Sequence, residues 1–358
     1  MSESLSSPLA PCSRLFGILP DGREVEAWTL RGAGGLELEV LSYGGIVSRL
    51  LVPARDGCMA DVVLGFHHLE GYFAGHPYFG ATVGRVAGRI SRGKFSLEGR
   101  NYQLLINDPP NHLHGGRDSI DKQLWTAEPV ERADGHPSLR LRFTSPEGEN
   151  GYPGSVDLAV TYTVTGDNAF IFETEARSTC ATPVNLTHHS YFNLAGEGAG
   201  NVLDHHLQID SDHIFSADEK MTLLDELRSL DGQAADFRNE QRLGTAISGI
   251  WQQHGDLYWL RESKECRPVA QLRHPGSGRI LSVATSNPCM QMYAGGGLDG
   301  SLIGKSGKPY PTFGGLCLEC QGSPNAIGDG AGRGFGDIVV RPETPQRHAT
   351  IYQFSTAT

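Results

Sequence analysis

The sequence predicts an all-β fold, a large antiparallel β-sandwich with few short helices, and three observations carry that expectation. Apolar and polar residues alternate with period two over many short runs. Gly, Pro, Asn and Asp separate the runs, and no clear helical segment intervenes between strands as a parallel α/β sheet would require. The 46 glycines and 20 prolines suit many turns, and the absence of a fixed-period repeat speaks against a propeller or solenoid.

Taken in chain order, Leu36-Glu37-Leu38-Glu39-Val40 and Leu139-Arg140-Leu141-Arg142-Phe143 read as half-buried antiparallel strands. The clearest hairpin runs from Val156 to Val164, turns at Gly166-Asp167-Asn168 and returns through Phe170 to Ala176. Its Thr, Tyr, Val, Phe and Ile side chains favour a pleated surface. A second hairpin spans Gln271 to Val283 around Pro275-Gly276-Ser277-Gly278. Only Ala217 to Leu230 has helix-like composition, and its Leu223, Leu224, Leu227 and Leu230 fit a core-facing irregular connection equally well. Residues 1–358 are expected to form a single domain, with residues 1–15 flexible.

The 30 Lys+Arg against 41 Asp+Glu give a formal charge of −11, which disfavours nucleic acid or an anionic membrane as the main partner and leaves a neutral small molecule open. Residues 1–16 lack a basic start followed by an apolar run, and no run of about 18 apolar residues follows. A soluble, cytoplasmic protein is therefore expected. The seven cysteines are odd in number and lack a framework spacing, which fits reduced thiols.

Four segments gather polar residues beside glycines or strand residues: Gly84 to Ile90, Asn111 to Gly116, Thr182 to Gly196, and Gly315 to Gln321. Arg85 and Arg89, taken alone, read as solvated turn residues. Within Thr182 to Gly196, strand alternation sends His188 and His189 to opposite faces, so one of them is structural. Only one of His112 and His114 need point inward, because Gly115-Gly116 implies a loop. His205 and His206 read as a solvated turn. Glu319, in the apolar stretch Leu316 to Gln321, would have a raised pKa if buried and could act as a proton acceptor; the plainer reading is a strand Glu facing solvent.

Other motifs fail. Gly304-Lys305-Ser306 lacks the upstream glycine of a phosphate loop, and Cys317 with Cys320 lacks the helix start of a redox motif. No cofactor is expected. A metal site built from histidines and a glutamate remains the rival reading.

Asn111-His112-Leu113-His114-Gly115-Gly116 and Thr182 through Leu194 resemble the aldose 1-epimerase (galactose mutarotase) family. Similar segments run from Asp61 to Phe66, through Gly151 to Gly154 and Asp236 to Arg238, to Leu298 to Gly300 and Arg341 to Phe354, so nearly the whole chain is covered. The resemblance implies the family's β-sandwich with an open sugar cleft, His189 as general acid, Glu319 as general base and His114 as a second histidine stabilising charge on the ring oxygen. It also implies sugar contacts from Arg89, Tyr191, Asp256 and Gln291. The expected activity is metal-free interconversion of the α and β anomers of a free aldose of glucose or galactose type, by a monomer or homodimer.

Three positions depart from the family. Gly88 stands where Asn is usual, which removes a side chain expected to touch sugar and leaves hydroxyl specificity open; His188 replaces Asn and Leu257 replaces His. A sugar-phosphate epimerase would need extra cations at the cleft, for which Arg85, Arg89 and Arg92 are the candidates. A noncatalytic sugar-binding protein on the same scaffold is the third reading.

Overall fold

In the computed structural model, residues 10–249, 255–260, 265–327 and 335–357 are described. Three antiparallel sheets organise them. An N-terminal sheet of five strands runs in chain order through Cys12–Ile18, Glu24–Arg31, Glu37–Leu41, Val47–Pro53 and Met59–Asp61. A nine-stranded sheet is ordered Thr126–Val130, Ser138–Ser145, Val156–Val164, Ala169–Ser178, Gln346–Thr356, Arg279–Thr285, Arg267–Arg273, His206–Ile209 and Gln241–Arg242. The third sheet carries the cleft, in the order Leu223–Ser229, His213–Ala217, Asp256–Trp259, Cys289–Tyr293 and Cys317–Gln321. The two α-helices among the described residues are four residues each.

The expected hairpin forms with Val156 opposite Ser178 and Val164 opposite Phe170. Asn168 takes φ +68° in its turn, and its Oδ1 accepts the Leu36 N–H at 3.1 Å, tying the hairpin to the N-terminal sheet. The second hairpin pairs Arg273 with Ile280. One apolar cluster draws on all three sheets: Leu38 and Leu50, Val160, Phe172 and Phe354, and Met290 and Leu318. Phe170 stacks on Tyr352 with centroids 4.7 Å apart, a pair worth about 0.5–1.5 kcal/mol beyond its buried area.

Several expectations change. The stretch Ala217 to Leu230 is neither helix nor irregular connection over most of its length; Leu223–Ser229 is an edge strand paired with His213–Ala217. Leu223 and Leu227 pack beside Phe215 and Leu257, while Leu224 is exposed, so the leucine spacing belongs to a strand with one covered face. Residues 12–15, expected to be flexible, belong to the first strand. His205 is buried rather than solvated: its Nε2 accepts the Leu194 N–H at 2.9 Å and its ring stacks on His274. Lys305 pairs with Asp61 at 2.6 Å and serves the scaffold.

Arg85 is also no turn residue. It is 1% exposed, and its guanidinium donates to Ser145 Oγ, Pro153 O and Pro146 O, each at 2.9 Å, with Tyr152 beneath it. A planar fork of donors satisfies three acceptors on two segments at once. Arg85→Met leaves those acceptors buried and unpaired, and we expect it to lower stability by about 3 kcal/mol, read as a fall in the urea midpoint. An unchanged midpoint would show that the guanidinium is dispensable to the fold.

Candidate active site

The cleft, about 390 Å³, opens on one face of the third sheet. Its floor is the strand Cys317–Gln321, every residue of which is buried. Alternation turns Leu318 and Cys320 into the core and Glu319 and Gln321 into the cleft. Gln291 lies directly opposite Glu319 on the neighbouring strand, and Leu257 opposite Gln291 on the next, so the three form a row across the sheet. Asp256 precedes Leu257 and follows Gly255 at φ +71°. A Cβ on Gly255 would stand 1.7 Å from Met292 O, so only glycine brings this strand in so close.

His189 ends the short strand Thr187–His189, which pairs with Ala81–Val83. The alternation expected of the double histidine holds. His188 turns into the core among Tyr162, Phe170, Phe172 and Tyr352 and contacts Ser190 Oγ at 2.7 Å, while His189 faces the cleft. The other pair divides likewise. His112 is spent on Leu105 O and Tyr152 Oη. His114, at φ +50°, lines the cleft and accepts the Gly88 N–H on Nδ1 at 3.2 Å. The neutral His114 ring therefore carries its proton on Nε2.

His189 Nε2 lies 3.5 Å from Glu319 Oε2, and that oxygen is buried with no hydrogen-bond partner. Burial decides the charge of both groups. It raises the Glu319 pKa to about 8, against a smaller lowering by Arg89, and lowers that of His189 to about 4. Despite their proximity, the two are a neutral pair near pH 7 rather than a salt bridge. Burial also holds His114 neutral, well below the usual imidazole value. Arg89 is half-buried at the cleft wall and its Nε binds Asp108 at 2.7 Å, which spends part of its charge.

All seven residues expected at the site, His114, His189, Glu319, Arg89, Tyr191, Asp256 and Gln291, line this one cleft, as do Gly88 and Leu257. Arg85 and Arg92 do not. Sequence reasoning missed Tyr78, whose ring stacks against His189 with centroids 5.7 Å apart, while Tyr191 stacks against His189 at 5.2 Å. It also missed Tyr293, Arg228 and Gln321; only Gln321 had a legible signal, its place two residues beyond Glu319 on a strand. The described grouping that could hold a metal is His189, Cys317 and Glu319, whose ligand atoms lie within 4.8 Å of one another. Among these, Cys317 Sγ sits 3.5 Å from His189 Nδ1.

The arrangement holds one proton acceptor, one potential donor and several hydrogen-bonding groups in a sugar-sized cleft. The family model described as aldose 1-epimerase matches residues 26–353. The galactose mutarotase of Mus musculus is 42% identical over 346 residues, covering 96% of this chain and 98% of the mouse protein. The aldose 1-epimerase of Escherichia coli K12 is 29% identical over 343 residues, covering 94% and 97%. Among solved structures, galactose 1-epimerase from Lactobacillus acidophilus superposes with a TM-score of 0.83 at 26% identity, over 98% of this chain and all of that one. With these likenesses spanning nearly its whole length, the chain belongs to the aldose 1-epimerase family, isomerases that interconvert the α and β anomers of aldoses.

Proposed function

We propose that His189 and Glu319 are the acid and base of this isomerase and that its substrates are free aldoses of glucose or galactose type. The observation that carries the reading is the buried contact between the two groups, which share a single titrating proton over a broad pH range. Ring opening requires Glu319 as carboxylate to take the proton of the O1 hydroxyl while protonated His189 gives one to the ring oxygen. The C1–O5 bond breaks, an aldehyde forms, C1 rotates about its bond to C2, and reclosure reverses both transfers. In protonated His189 both nitrogens are donors, Nδ1 beside Cys317 Sγ and Nε2 facing Glu319, and the tyrosine rings stacked on the imidazole favour its positive form.

Opening leaves neutral His189 and protonated Glu319, the proton arrangement that burial favours. The scaffold thus lowers the energy of the open-chain state relative to the charged pair. The Nε2–H of His114 is free of the charge that would repel a protonated His189, and it donates to a sugar oxygen. Arg89, Tyr191, Asp256 and Gln291 orient the hydroxyls. The galactose mutarotase of mouse supports galactose as one substrate. A sugar phosphate is less well served by the cations weighed in the sequence, because Arg85 is committed to the scaffold, Arg89 to Asp108, and Arg92 does not line the cleft, which leaves Arg228 on its wall. We also read the chain as one cytoplasmic domain, acting as monomer or homodimer; the seven unpaired cysteines support a reducing compartment, and no helix among the described residues is long and apolar enough to cross a membrane.

Polarimetry of freshly dissolved α-D-galactose and α-D-glucose tests the activity. His189→Ala and Glu319→Gln are each expected to lose about 10²–10⁴-fold in kcat/KM, and activity is expected to survive a chelator. Loss of activity on chelation, restored by added metal, would instead favour an ion on His189, Cys317 and Glu319. The log of kcat/KM should be flat between pH of about 4 and about 8. Below that window Glu319 and His189 are both protonated and the base is gone; above it the shared proton is lost and the acid is gone.

Stability, unlike activity, is expected to fall across this window. The folded pKa of Glu319 is raised from 4.5 to about 8, so the folded chain keeps a proton that the unfolded chain releases. Wild-type stability from this group is full below pH 4.5 and declines up to about pH 8, by roughly 1.4 kcal/mol for each pH unit. Glu319→Gln removes that dependence, so its gain in melting temperature over wild type should grow from pH 5 to pH 8. A difference independent of pH would mean that burial does not raise the folded pKa of this carboxyl.

A further inference from the structure

The cleft contains a polar group that the acid, the base and the expected sugar contacts do not account for. Gln321 is 2% exposed, and its Oε1 is buried with no hydrogen-bond partner. An amide carbonyl left unpaired in a protein interior carries an uncompensated desolvation cost, so its presence on a cleft wall calls for a ligand. Its neighbours cannot supply one. Across the sheet stands Cys289, buried in an apolar cluster with Phe215 and Leu257. On the other side the Gln321 Nε2 lies against Gly88, which has no side chain, and a Cβ there would be 3.4 Å from that nitrogen. The Gly88 N–H is already given to His114.

We infer that Gln321 is a specificity-determining residue that binds the hydroxyl on C2 of the sugar. The assignment of that hydroxyl rests on the roles proposed for His189 and Glu319. Along the strand Cys317–Gln321, His189 contacts Cys317 and Glu319, which places it on one flank of Glu319. Gln321 lies on the other flank, two residues or about 6.8 Å along the strand. In the pyranose, C1 stands between the ring oxygen and C2. With O1 at Glu319 and the ring oxygen toward His189, the far flank is the C2 side. The amide matches a hydroxyl in both directions: Oε1 accepts its proton, and Nε2, beside Gly88 on the cleft wall, donates to its oxygen or to that of the next hydroxyl.

The test compares kcat and KM for D-glucose and 2-deoxy-D-glucose in wild type and in Gln321→Met, which keeps length and removes both polar atoms. Wild type is expected to favour glucose. Gln321→Met should lose about ten- to hundredfold in kcat/KM for glucose and little for the 2-deoxy sugar, so the discrimination collapses. Equal losses for both sugars, or none for either, would overturn the inference. So would a collapse of discrimination against 3-deoxy-D-glucose in place of the 2-deoxy sugar. Gln321→Met should melt no lower than wild type, since it removes an unpaired buried carbonyl. A variant that does melt lower is replaced by Gln321→Leu in the same comparison. His189→Ala and Glu319→Gln keep the two failures apart: they should slow both sugars by the same large factor, and full activity in those variants would sink the acid–base assignment itself.

Discussion

A carboxyl group held out of water beside an imidazole is the constraint around which this cleft is built. Glu319 lies on a strand of which every residue is buried, with the apolar core behind it and the cleft in front. In such a place a lone carboxylate is expensive, and the nearest cation, Arg89, is half committed to Asp108. The inexpensive state is the neutral acid next to a neutral imidazole. The surrounding groups conform to it: His114 is held neutral, as is His76 on the same aromatic wall, and the ring stack of Tyr78, His189 and Tyr191 adds bulk without charge. His189 and Glu319 therefore become charged only when a proton crosses between them, while the charge of Arg89 on the cleft wall is paired with Asp108.

Holding that contact requires three independent parts of the chain to converge. The proposed base, Glu319, comes from the strand Cys317–Gln321 and the proposed acid, His189, from Thr187–His189. His114 comes from a loop locked by Gly115, whose φ is +83° and where a Cβ would stand 1.9 Å from Gly84 O. Each part is anchored from behind by polar groups that have left water. Thr187 Oγ1 donates to Cys320 O at 3.0 Å, tying the acid strand to the base strand directly, and Asn185 bridges Ala87 O and Gly322 O. These bonds run from short buried side chains of one segment to the backbone of the next, so the distance between His189 and Glu319 is set by the scaffold.

How much of this was legible in the sequence depended on whether the information was local. Period-two alternation revealed the hairpin Val156 to Ala176 and resolved the double histidine, because a strand allows only one of His188 and His189 to face the cleft. Ala217 to Leu230 misled because leucines on one covered face of a bulged edge strand can mimic a 3.6-residue stripe. Arg85 and His205 misled for another reason: each is polar and beside a turn in sequence, and each is buried by partners more than ten residues away or on another strand. Convergence of Arg89, His114, His189, Asp256, Gln291 and Glu319 on one cleft is non-local, and only the resemblance to a family could anticipate it. Tyr78 carried no periodic signal at all.

The reaction itself explains why one acid–base pair is enough. The two anomers differ only in the side of the ring from which O1 projects, while the ring oxygen and the hydroxyls from C2 onward keep their places. A site that recognises the shared part of the sugar through rigid neutral groups, and meets O1 with a carboxyl group, can open either anomer without re-docking. A carboxylate suits this because its two oxygens offer acceptors on both sides of one carbon. The imidazole need serve only one position, that of the ring oxygen, and so can be wedged between tyrosine rings. Restraint on His189 and latitude at Glu319 are thus two consequences of the same stereochemistry. They also require that specificity be placed away from O1, on the flank where Gln321 and Gly88 meet.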